Sequence, residues 1–403
     1  MIVVGGLPFS TDSPSSSSSQ SSESDTLFGL IEHPILVSAS RSFKCMQERK
    51  VSAFDDSASK YVYIFQREYA TVDPAIVHYV GTDEATTCVG LVIRNRRNGM
   101  TSVAHMDSPT IVDIGLTQML SLVVDHGFDA ELDVHLIGGF DDVTLNHANG
   151  STISQSHAKL DGYSFPLCAK ILNTLQRRQE KFHIQTLFVL GHNTKRDSQG
   201  NAYPIFTGFL VETSTGSLIP ASFDRTSRCP DEIVRRIRVT SCYEDASWNG
   251  KLLETYDTQT DRFVIAPCRW SLHQLRIIMT LQHLSDAEIL LTCSTSPSAE
   301  ASDFVETLRR QWNYLIKQPE WRETFHKKQA RVFERTADGG WKRPHLSRRS
   351  SPRTTALVPS AALPPPLRRS SFSTTAPVLL FHRSSAVVRL APAALPHEGS
   401  PSN

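Results

Sequence analysis

The segment Gly81-Thr-Asp-Glu-Ala-Thr-Thr-Cys-Val-Gly-Leu-Val-Ile93 joins a polar loop to a short apolar run. The run, which begins at Cys88, is followed by the polar turn Arg94-Asn-Arg-Arg-Asn-Gly99, and a second strand is predicted over Thr101–His105. This succession is typical of a β-hairpin. Because a hairpin brings its two open ends together, Cys88 and His105 are expected to be neighbours although 17 residues separate them.

Strands and helices alternate on both sides of this hairpin. Period-2 alternation and β-branched residues predict strands, and apolar residues at i, i+4 and i+7 predict helices. The predicted strands are Ile2–Val4, Tyr61–Phe65, Glu131–Ile137 (running into Gly138-Gly139), His183–Leu190, Phe206–Glu212 and Ser217–Phe223, the last two forming a hairpin. The predicted helices are Val112–Val123 with a cap at Gly127, Pro166–Lys181 with Ser164 near its cap, and the Phe304–Ile316 stripe. Together these elements predict an α+β fold.

Charge and proline content differ between residues 342–403 and the rest of the 403-residue chain. Lys and Arg number 42 and Asp and Glu 41, and this balance excludes a strongly basic nucleic-acid binder. Residues 342–403 nevertheless carry a charge of +8 and ten of the 22 prolines, which leaves −7 for the rest. We predict an N-terminal strand in 1–9, a disordered Ser-rich insert in 10–27, a catalytic domain in 28–341 and a disordered basic, Pro/Ser-rich tail in 342–403.

The seven cysteines lie far apart and include no C-x-x-C pair. This usage is typical of reduced thiols and argues against a disulfide framework and a zinc finger. The chain contains no run of 18 apolar residues, so no membrane span is predicted. The start of the chain lacks the features of a secretory signal. The predicted location is the cytoplasm, with the nucleus as the second expectation.

The loop before the hairpin contains the residue types of a cysteine-dependent hydrolase. A thiol with an ordinary pKa of about 8.5 needs a basic or cationic neighbour to become a nucleophile. His105 could serve as general base or as ion-pair partner, Thr82 could orient the imidazole, and backbone amides near Thr87 and Cys88 could bind an oxyanion. Spacing alone leaves a second interpretation, in which Cys88 is a small buried side chain and His105 a polar residue at a strand end.

Five motifs, in this order, resemble the protein N-terminal asparagine amidohydrolase family. They are Gln66-Arg-Glu68, Gly81-Thr-Asp-Glu-Ala-Thr-Thr-Cys88, His105-Met-Asp107, Val134-His-Leu-Ile-Gly-Gly-Phe140 and Ser294-Thr-Ser-Pro297. The resemblance implies hydrolysis of the side-chain amide of an N-terminal Asn to Asp with release of ammonia. It also implies Cys88 as nucleophile, no metal and no cofactor. The product would feed arginylation and ubiquitin-dependent degradation, with arginyltransferase and ubiquitin-ligase components as partners, and neither nucleic acid nor membrane is expected as a partner.

A more distant similarity to bacterial chemotaxis-receptor glutamine deamidases concerns the partners of the cysteine. In those enzymes a histidine follows the cysteine by 17 residues and a threonine precedes it by six, which implies His105 and Thr82 here. The same similarity implies a layered α-β-β-α sandwich of mainly antiparallel strands with flanking helices. This similarity also gives an alternative function for the chain, deamidation of internal Gln residues. A further alternative is a non-catalytic scaffold that binds N-termini.

An N-terminal Asn also presents an α-ammonium, which a carboxylate could bind through a charge-assisted hydrogen bond. Asp83, Glu84 and Asp107 flank the predicted catalytic residues and are the substrate-binding candidates, each with a loop-capping role as its alternative. His135 alternates with apolar neighbours on a strand and is predicted to be structural. The Ser294–Pro297 segment is predicted to form a turn or a helix start, with a role in the pocket as the alternative.

Overall fold

The computed structural model describes residues 1–10, 23–53, 59–124, 130–142 and 162–344. The strands are β1 (Ile2–Val4), β2 (Leu7–Pro8), β3 (Arg49–Val51), β4 (Tyr61–Tyr63), β5 (Glu68–Val72), β6 (Tyr79–Thr82), β7 (Val89–Asn95), β8 (Thr101–Met106), β9 (Glu131–Phe140), β10 (Lys181–Leu190), β11 (Thr194–Arg196), β12 (Ala202–Pro204), β13 (Phe209–Glu212), β14 (Leu218–Phe223), β15 (Leu253–Glu254), β16 (Tyr256–Asp257), β17 (Arg262–Ile265), β18 (Arg331–Arg335) and β19 (Trp341–Lys342). The α-helices are α1 (Glu23–Ile31), α2 (Pro34–Lys44), α3 (Val112–Leu120), α4 (Ser164–Arg177), α5 (Glu232–Cys242), α6 (Leu272–Leu281), α7 (Asp286–Cys293), α8 (Phe304–Lys317) and α9 (Trp321–Thr324).

An eight-stranded sheet in the order β15-β5-β8-β7-β9-β10-β1-β2 forms the centre of the fold. The predicted hairpin is confirmed, because β7 and β8 pair antiparallel with Val89 opposite Met106 and Gly90 opposite His105. Side chains alternate between the two faces of a strand. Cys88, which directly precedes β7, therefore lies diagonally across the hairpin from His105 and on the same face.

A five-stranded sheet in the order β3-β14-β13-β6-β4 packs on that face. Val92 and Val103 of the large sheet share one core with Val80 and Phe209 of the small one. The two sheets approach closely at Gly90, where a Cβ atom would lie 2.2 Å from Cε1 of Phe209. The ring of Phe209 leaves no room for a Cβ atom here, and because Phe209 pairs with Thr82, the end of β6 lies beside the open end of the hairpin.

Helices cover the opposite face of the large sheet. Leu91, Met106 and Leu136 of the sheet pack in a second core with residues of α1, α3 and α4 such as Leu116 and Leu172. The amphipathic patterns that predicted α3 and α4 are therefore explained by one apolar face on the sheet. Two smaller sheets, β16-β17-β18-β19 and β11-β12, complete the described strands.

The predicted α+β class is confirmed, although the sheets are mixed: β9 and β10, β1 and β10, β3 and β14, β4 and β6, and β5 and β15 pair in parallel. Several predicted ends were wrong. The helix predicted to reach Lys181 ends at Arg177, because Lys181 already pairs with Glu131 in the sheet. The strand predicted from Phe206 begins at Phe209, where it starts to pair with β6 and β14. Strand β4 ends at Tyr63, two residues before the predicted end.

Some predicted segments lie partly or wholly outside the described residues. Of the predicted insert 10–27, residues 11–22 are outside, and α1 begins at Glu23 with Leu27 fully buried. Gly127 and residues 345–403 of the predicted tail are also outside. Within the described ranges, no helix combines the length and apolar character that crossing a bilayer requires. All seven cysteines are described and none forms a disulfide; Cys168, Cys242, Cys268 and Cys293 are buried.

Candidate active site

Cys88 is held at the start of β7 by the end of the neighbouring strand β9. Its carbonyl oxygen accepts a hydrogen bond of 2.7 Å from the amide of Gly139. Gly138 and Gly139 have φ values of +107° and +52°, which L-residues with a Cβ rarely adopt. A Cβ atom at Gly138 would lie 2.6 Å from the Cys88 carbonyl oxygen. The glycine pair predicted at the end of this strand therefore sets the position of the Cys88 backbone.

His105 is buried between the two sheets and is oriented by Thr82. Its Nδ1 lies 2.8 Å from the Thr82 hydroxyl oxygen, and that hydroxyl donates a 2.8 Å hydrogen bond to the carbonyl of Ile64. Since the hydroxyl proton points to the carbonyl, the hydroxyl oxygen accepts from the ring, which assigns the proton of the neutral imidazole to Nδ1. Nε2 has no hydrogen-bond partner among the described residues and presents its lone pair.

Burial keeps His105 neutral. Desolvation lowers the pKa of the His105 imidazole to about 4, although the carboxylate of Asp107 acts in the opposite direction. Of the two roles that the sequence left open, general base and cationic ion-pair partner, this environment favours the general base, because a base must be unprotonated at neutral pH. The geometry places Cys88 and His105 on one face of the hairpin, and Thr82 of β6 contacts His105 from the small sheet that packs on this face.

Asp83 points away from this group. Successive residues of an extended strand face opposite sides, so Thr82 meets His105 while Asp83 enters the outer side of the small sheet. Its carboxylate accepts hydrogen bonds of 2.6 Å from the Tyr63 hydroxyl, 2.8 Å from the Phe223 amide and 2.9 Å from Arg228. Burial raises the pKa of Asp83, against the effect of the Arg228 guanidinium.

Glu84 adopts a φ of +61° and is bound by two arginines. Its carboxylate lies 2.8 Å from Nη1 of Arg228 and 2.9 Å from Nη1 of Arg236. These contacts are those of an ion-pair network that holds the loop before Cys88. A left-handed conformation at a residue other than glycine is a strained feature often found at functional sites.

Asp107, two residues after His105, is on the same side of β8 as the imidazole. It accepts a short hydrogen bond from the Tyr243 hydroxyl and one of 3.4 Å from the Gln66 amide, and it lies 3.8 Å from Nη1 of Arg67. Tyr243 and Gln66 are half-buried, so this cluster extends to the protein surface. Of the three predicted substrate-binding acids, Asp107 is the one that shares a face with His105.

The Ser294–Pro297 segment, distant in sequence, contacts the loop directly before Cys88. Ser296 donates a 3.2 Å hydrogen bond to the Thr86 hydroxyl, and the Thr87 and Thr295 hydroxyls are 3.5 Å apart. The segment follows α7 and leads into the short 3-10 helix Pro297–Ala299. This agrees with the prediction of a turn or a helix start.

Sequence reasoning missed the basic residues and the tyrosine that surround the site. Arg228 and Arg236 bind the loop acids, and Tyr243 binds Asp107. The available signal was the run Arg235-Arg-Ile-Arg238 within an otherwise amphipathic helix, because arginines on an apolar face are usually paired when buried.

His135, predicted to be structural, lies within β9 and its Nδ1 is 3.1 Å from the Thr186 hydroxyl. Burial lowers its pKa to about 4. In the described part of the chain no group of three or more His, Cys, Asp or Glu side chains is arranged to hold a metal ion.

Comparison with known proteins adds a further finding. The family model of protein N-terminal asparagine amidohydrolase matches residues 51–343. A protein of that name from Arabidopsis thaliana is 61% identical over 350 residues, which cover 85% of this chain and 100% of the relative. Proteins of the same name from Homo sapiens and Sus scrofa are 29% and 31% identical over 287 and 292 residues, in each case 70% of this chain and 83% of the relative.

Proposed function

The chain belongs to the protein N-terminal asparagine amidohydrolase family, and on that premise we propose that Cys88, His105 and Thr82 carry out its reaction. The enzyme hydrolyses the side-chain amide of an N-terminal Asn to give Asp and ammonia. The observation that supports the residue assignment best is the hydrogen-bond chain from Ile64 through Thr82 to His105. It leaves Nε2 of a neutral imidazole as the proton acceptor on the face that Cys88 shares.

In the first half-reaction, Nε2 of His105 takes the proton of the Cys88 thiol and the sulfur attacks the side-chain carbonyl carbon of the substrate Asn. Backbone amides around Thr87 and Cys88 bind the oxyanion of the tetrahedral intermediate. The imidazolium then gives its proton to the amide nitrogen, the C–N bond breaks and ammonia leaves. The product of this half-reaction is a thioester between Cys88 and the substrate side chain.

In the second half-reaction, a water molecule hydrolyses the thioester. Nε2 of His105, again neutral, takes a proton from the water as its oxygen attacks the thioester carbon. The imidazolium returns that proton to the sulfur as the C–S bond breaks. Asp is released, Cys88 and His105 regain their starting protonation states, and no metal or organic cofactor takes part in the proposed steps.

For the α-ammonium of the substrate, we assign Asp107. Asp83 faces the outer side of the small sheet, and both oxygens of Glu84 are bound by Arg228 and Arg236. Asp107 lies on the His105 side, and its neighbours Gln66 and Tyr243 connect it to the surface. A carboxylate there would bind the ammonium by a charge-assisted hydrogen bond.

The remaining proposals rest on the resemblance. The catalytic domain spans residues 28–341, and the family match to residues 51–343 supports most of this range. Its architecture is the layered α-β-β-α sandwich, supported by the helices on one face of the large sheet and the small sheet on the other. We place the enzyme in the cytoplasm, with the nucleus as the alternative, and the scattered cysteines without disulfides support this location. Its product would then be used by arginyltransferase and ubiquitin-ligase components.

The test is ammonia release from matched peptides that differ only at the first position: Asn, Gln and acetyl-Asn. We expect turnover of the Asn peptide alone by the wild-type protein and none by Cys88→Ala, with an unchanged circular dichroism spectrum. Without the sulfur no thioester can form, so the loss should exceed a factor of about 1,000.

Each other result has a defined meaning. Turnover of Gln or acetyl-Asn peptides would support a deamidase of internal residues. Binding of the Asn peptide without turnover would support a scaffold. Full activity of folded Cys88→Ala would refute the nucleophile assignment.

A further inference from the structure

Three charged residues that the reaction does not use form a fully buried cluster beside the site. Arg235 and Arg238 of α5 and Glu68 of β5 have no exposed surface. Nη2 of Arg235 lies 2.6 Å from Glu68 Oε2, and Nη2 of Arg238 lies 3.2 Å from Oε1. Burying ions is costly, and replacing a buried ion pair by apolar residues is often neutral or stabilising. Stability alone is therefore a weak explanation for this cluster.

Arg235 and Glu68 bind the backbone between β4 and β5 directly. The same Nη2 of Arg235 donates a 2.6 Å hydrogen bond to the carbonyl of Tyr63, and Glu68 Oε2 accepts a 2.9 Å bond from the amide of Phe65. The guanidinium of Arg235 also lies 4.6 Å from the ring centre of Phe65. The two charged side chains thus hold the backbone on both sides of Ile64.

Ile64 and Arg67 of this same backbone segment hold His105. The Ile64 carbonyl accepts the Thr82 hydroxyl proton, and this hydrogen bond turns the Thr82 oxygen toward Nδ1 of the imidazole. The Arg67 amide donates a 2.8 Å hydrogen bond to the carbonyl of His105. Movement of the segment would therefore shift both the backbone of His105 and the group that selects its tautomer.

We propose that Arg235, together with Glu68, is a positioning residue that fixes the Ile64 carbonyl and through it the tautomer of His105. This inference rests on the proposed function, because it gives the cluster a role in the activity of His105. Arg238 provides an internal comparison. It binds the same Glu68 from the same helix but donates otherwise to the Glu254 carbonyl at 3.4 Å, away from the Tyr63–Phe65 backbone.

The experiment compares Arg235→Lys with the matched variant Arg238→Lys. A lysine keeps the charge but cannot reproduce the planar fork, in which Nε and Nη2 bind both oxygens of Glu68 while Nη2 also donates to the Tyr63 carbonyl. We expect kcat for the Asn peptide to fall about 10- to 100-fold in Arg235→Lys with KM within about twofold, as for a misplaced catalytic group. Both variants should lower the denaturation midpoint by similar amounts, because each weakens a buried contact with Glu68. In Arg238→Lys, however, kcat should stay within about twofold of wild type.

A second readout does not depend on activity. The ¹⁵N chemical shifts of the His105 ring, identified by comparison with His105→Gln, distinguish a protonated from an unprotonated nitrogen. Wild type and Arg238→Lys should show Nδ1 protonated and Nε2 unprotonated, whereas Arg235→Lys should show a mixture of tautomers. In a Thr82→Val background, Arg235→Lys should cause little further loss of kcat, because both changes act through the same hydrogen bond.

An unchanged tautomer in Arg235→Lys, an equal kcat loss in Arg238→Lys, or a full further loss in the Thr82→Val background would overturn the positioning role. Activity in His105→Gln would instead refute the proposed function, and the ring shifts would still report on the positioning. If Arg235→Lys does not fold, Glu68→Gln keeps an oxygen for the Phe65 amide but loses the charge that holds Arg235. The same changes in kcat and ring shifts are then expected, and their absence would overturn the role.

Discussion

The Thr82 hydroxyl performs for His105 what a carboxylate does in many histidine-dependent hydrolases, but without adding charge. It donates to the Ile64 carbonyl and accepts from Nδ1, so it selects a tautomer while the imidazole stays neutral. A carboxylate in the same place would favour the imidazolium and raise the pKa of His105. With a neutral hydroxyl, burial dominates and keeps the histidine an acceptor for the thiol proton.

At the residue scale, Asp107→Asn should raise KM for Asn peptides by about 10- to 100-fold with a smaller change in kcat, because it removes a charge-assisted hydrogen bond worth about 1.5–3 kcal/mol. A desamino peptide, which carries the side-chain amide but no α-ammonium, should react equally in both proteins. Steady-state kinetics on the two peptides measures the difference. If Glu84→Gln shows this selective effect and Asp107→Asn does not, the assignment moves to Glu84.

At the scale of elements, the β7–β8 hairpin and the end of β9 together present the nucleophile. The hairpin sets Cys88 diagonally across from His105. The Gly138-Gly139 pair lets β9 come close enough for the Gly139 amide to form a hydrogen bond with the Cys88 carbonyl. Both sheets are needed, because Thr82 reaches His105 from β6 of the small sheet. The site is therefore built at the contact of three chain segments, of which the hairpin alone is local.

Gly138→Ala should reduce kcat about 10- to 100-fold, because the new Cβ would displace the Cys88 carbonyl. The matched control is Gly200→Ala, whose φ of +86° imposes a comparable backbone cost while no atom lies within 4 Å of the new Cβ. Both variants should lose about 1 kcal/mol or more of unfolding free energy. Only Gly138→Ala should lose activity, and equal activity of the two variants would show that the close approach is unimportant for catalysis.

At the scale of the whole molecule, the two sheets enclose titratable groups whose protonation links stability to pH. His105 and His135 both have pKa values lowered to about 4 by burial. In the unfolded chain an imidazole titrates near 6.5, so between about pH 6.5 and pH 4 the unfolded state binds more protons than the native state. Their contribution to stability is complete above about pH 6.5 and is lost as the pH falls toward 4.

Denaturant unfolding at pH 7.5 and pH 5 should therefore show a loss of about 2 kcal/mol for each of these histidines, as an order of magnitude. In His135→Gln the difference between the two pH values should shrink by about that amount, because the buried group no longer titrates. His273→Gln, a change at an exposed position, should leave the difference as in wild type. An unchanged pH dependence in His135→Gln would contradict the linkage.

The sequence by itself determined the local part of this protein. The α+β class, the β7–β8 hairpin, the strand ending in Gly138-Gly139 and helix α8 follow from periodicity and turn residues, which act over a few positions. It also placed Cys88 and His105 near each other, since a hairpin fixes that relation. Helix and strand ends were less predictable because pairing between strands far apart in the chain, such as β9 with β10, set them.

Only the tertiary structure decided which side chains meet at the site. Asp83, Glu84 and Asp107 look equivalent in the sequence, yet the alternation of β6 turns Asp83 outward, and two arginines more than 140 residues away bind Glu84. The Thr82 hydroxyl reaches His105 from β6, and the side chains that hold the backbone around Ile64 come from β5 and α5. Such contacts depend on how the two sheets pack, because side-chain partners distant in the chain leave no local pattern.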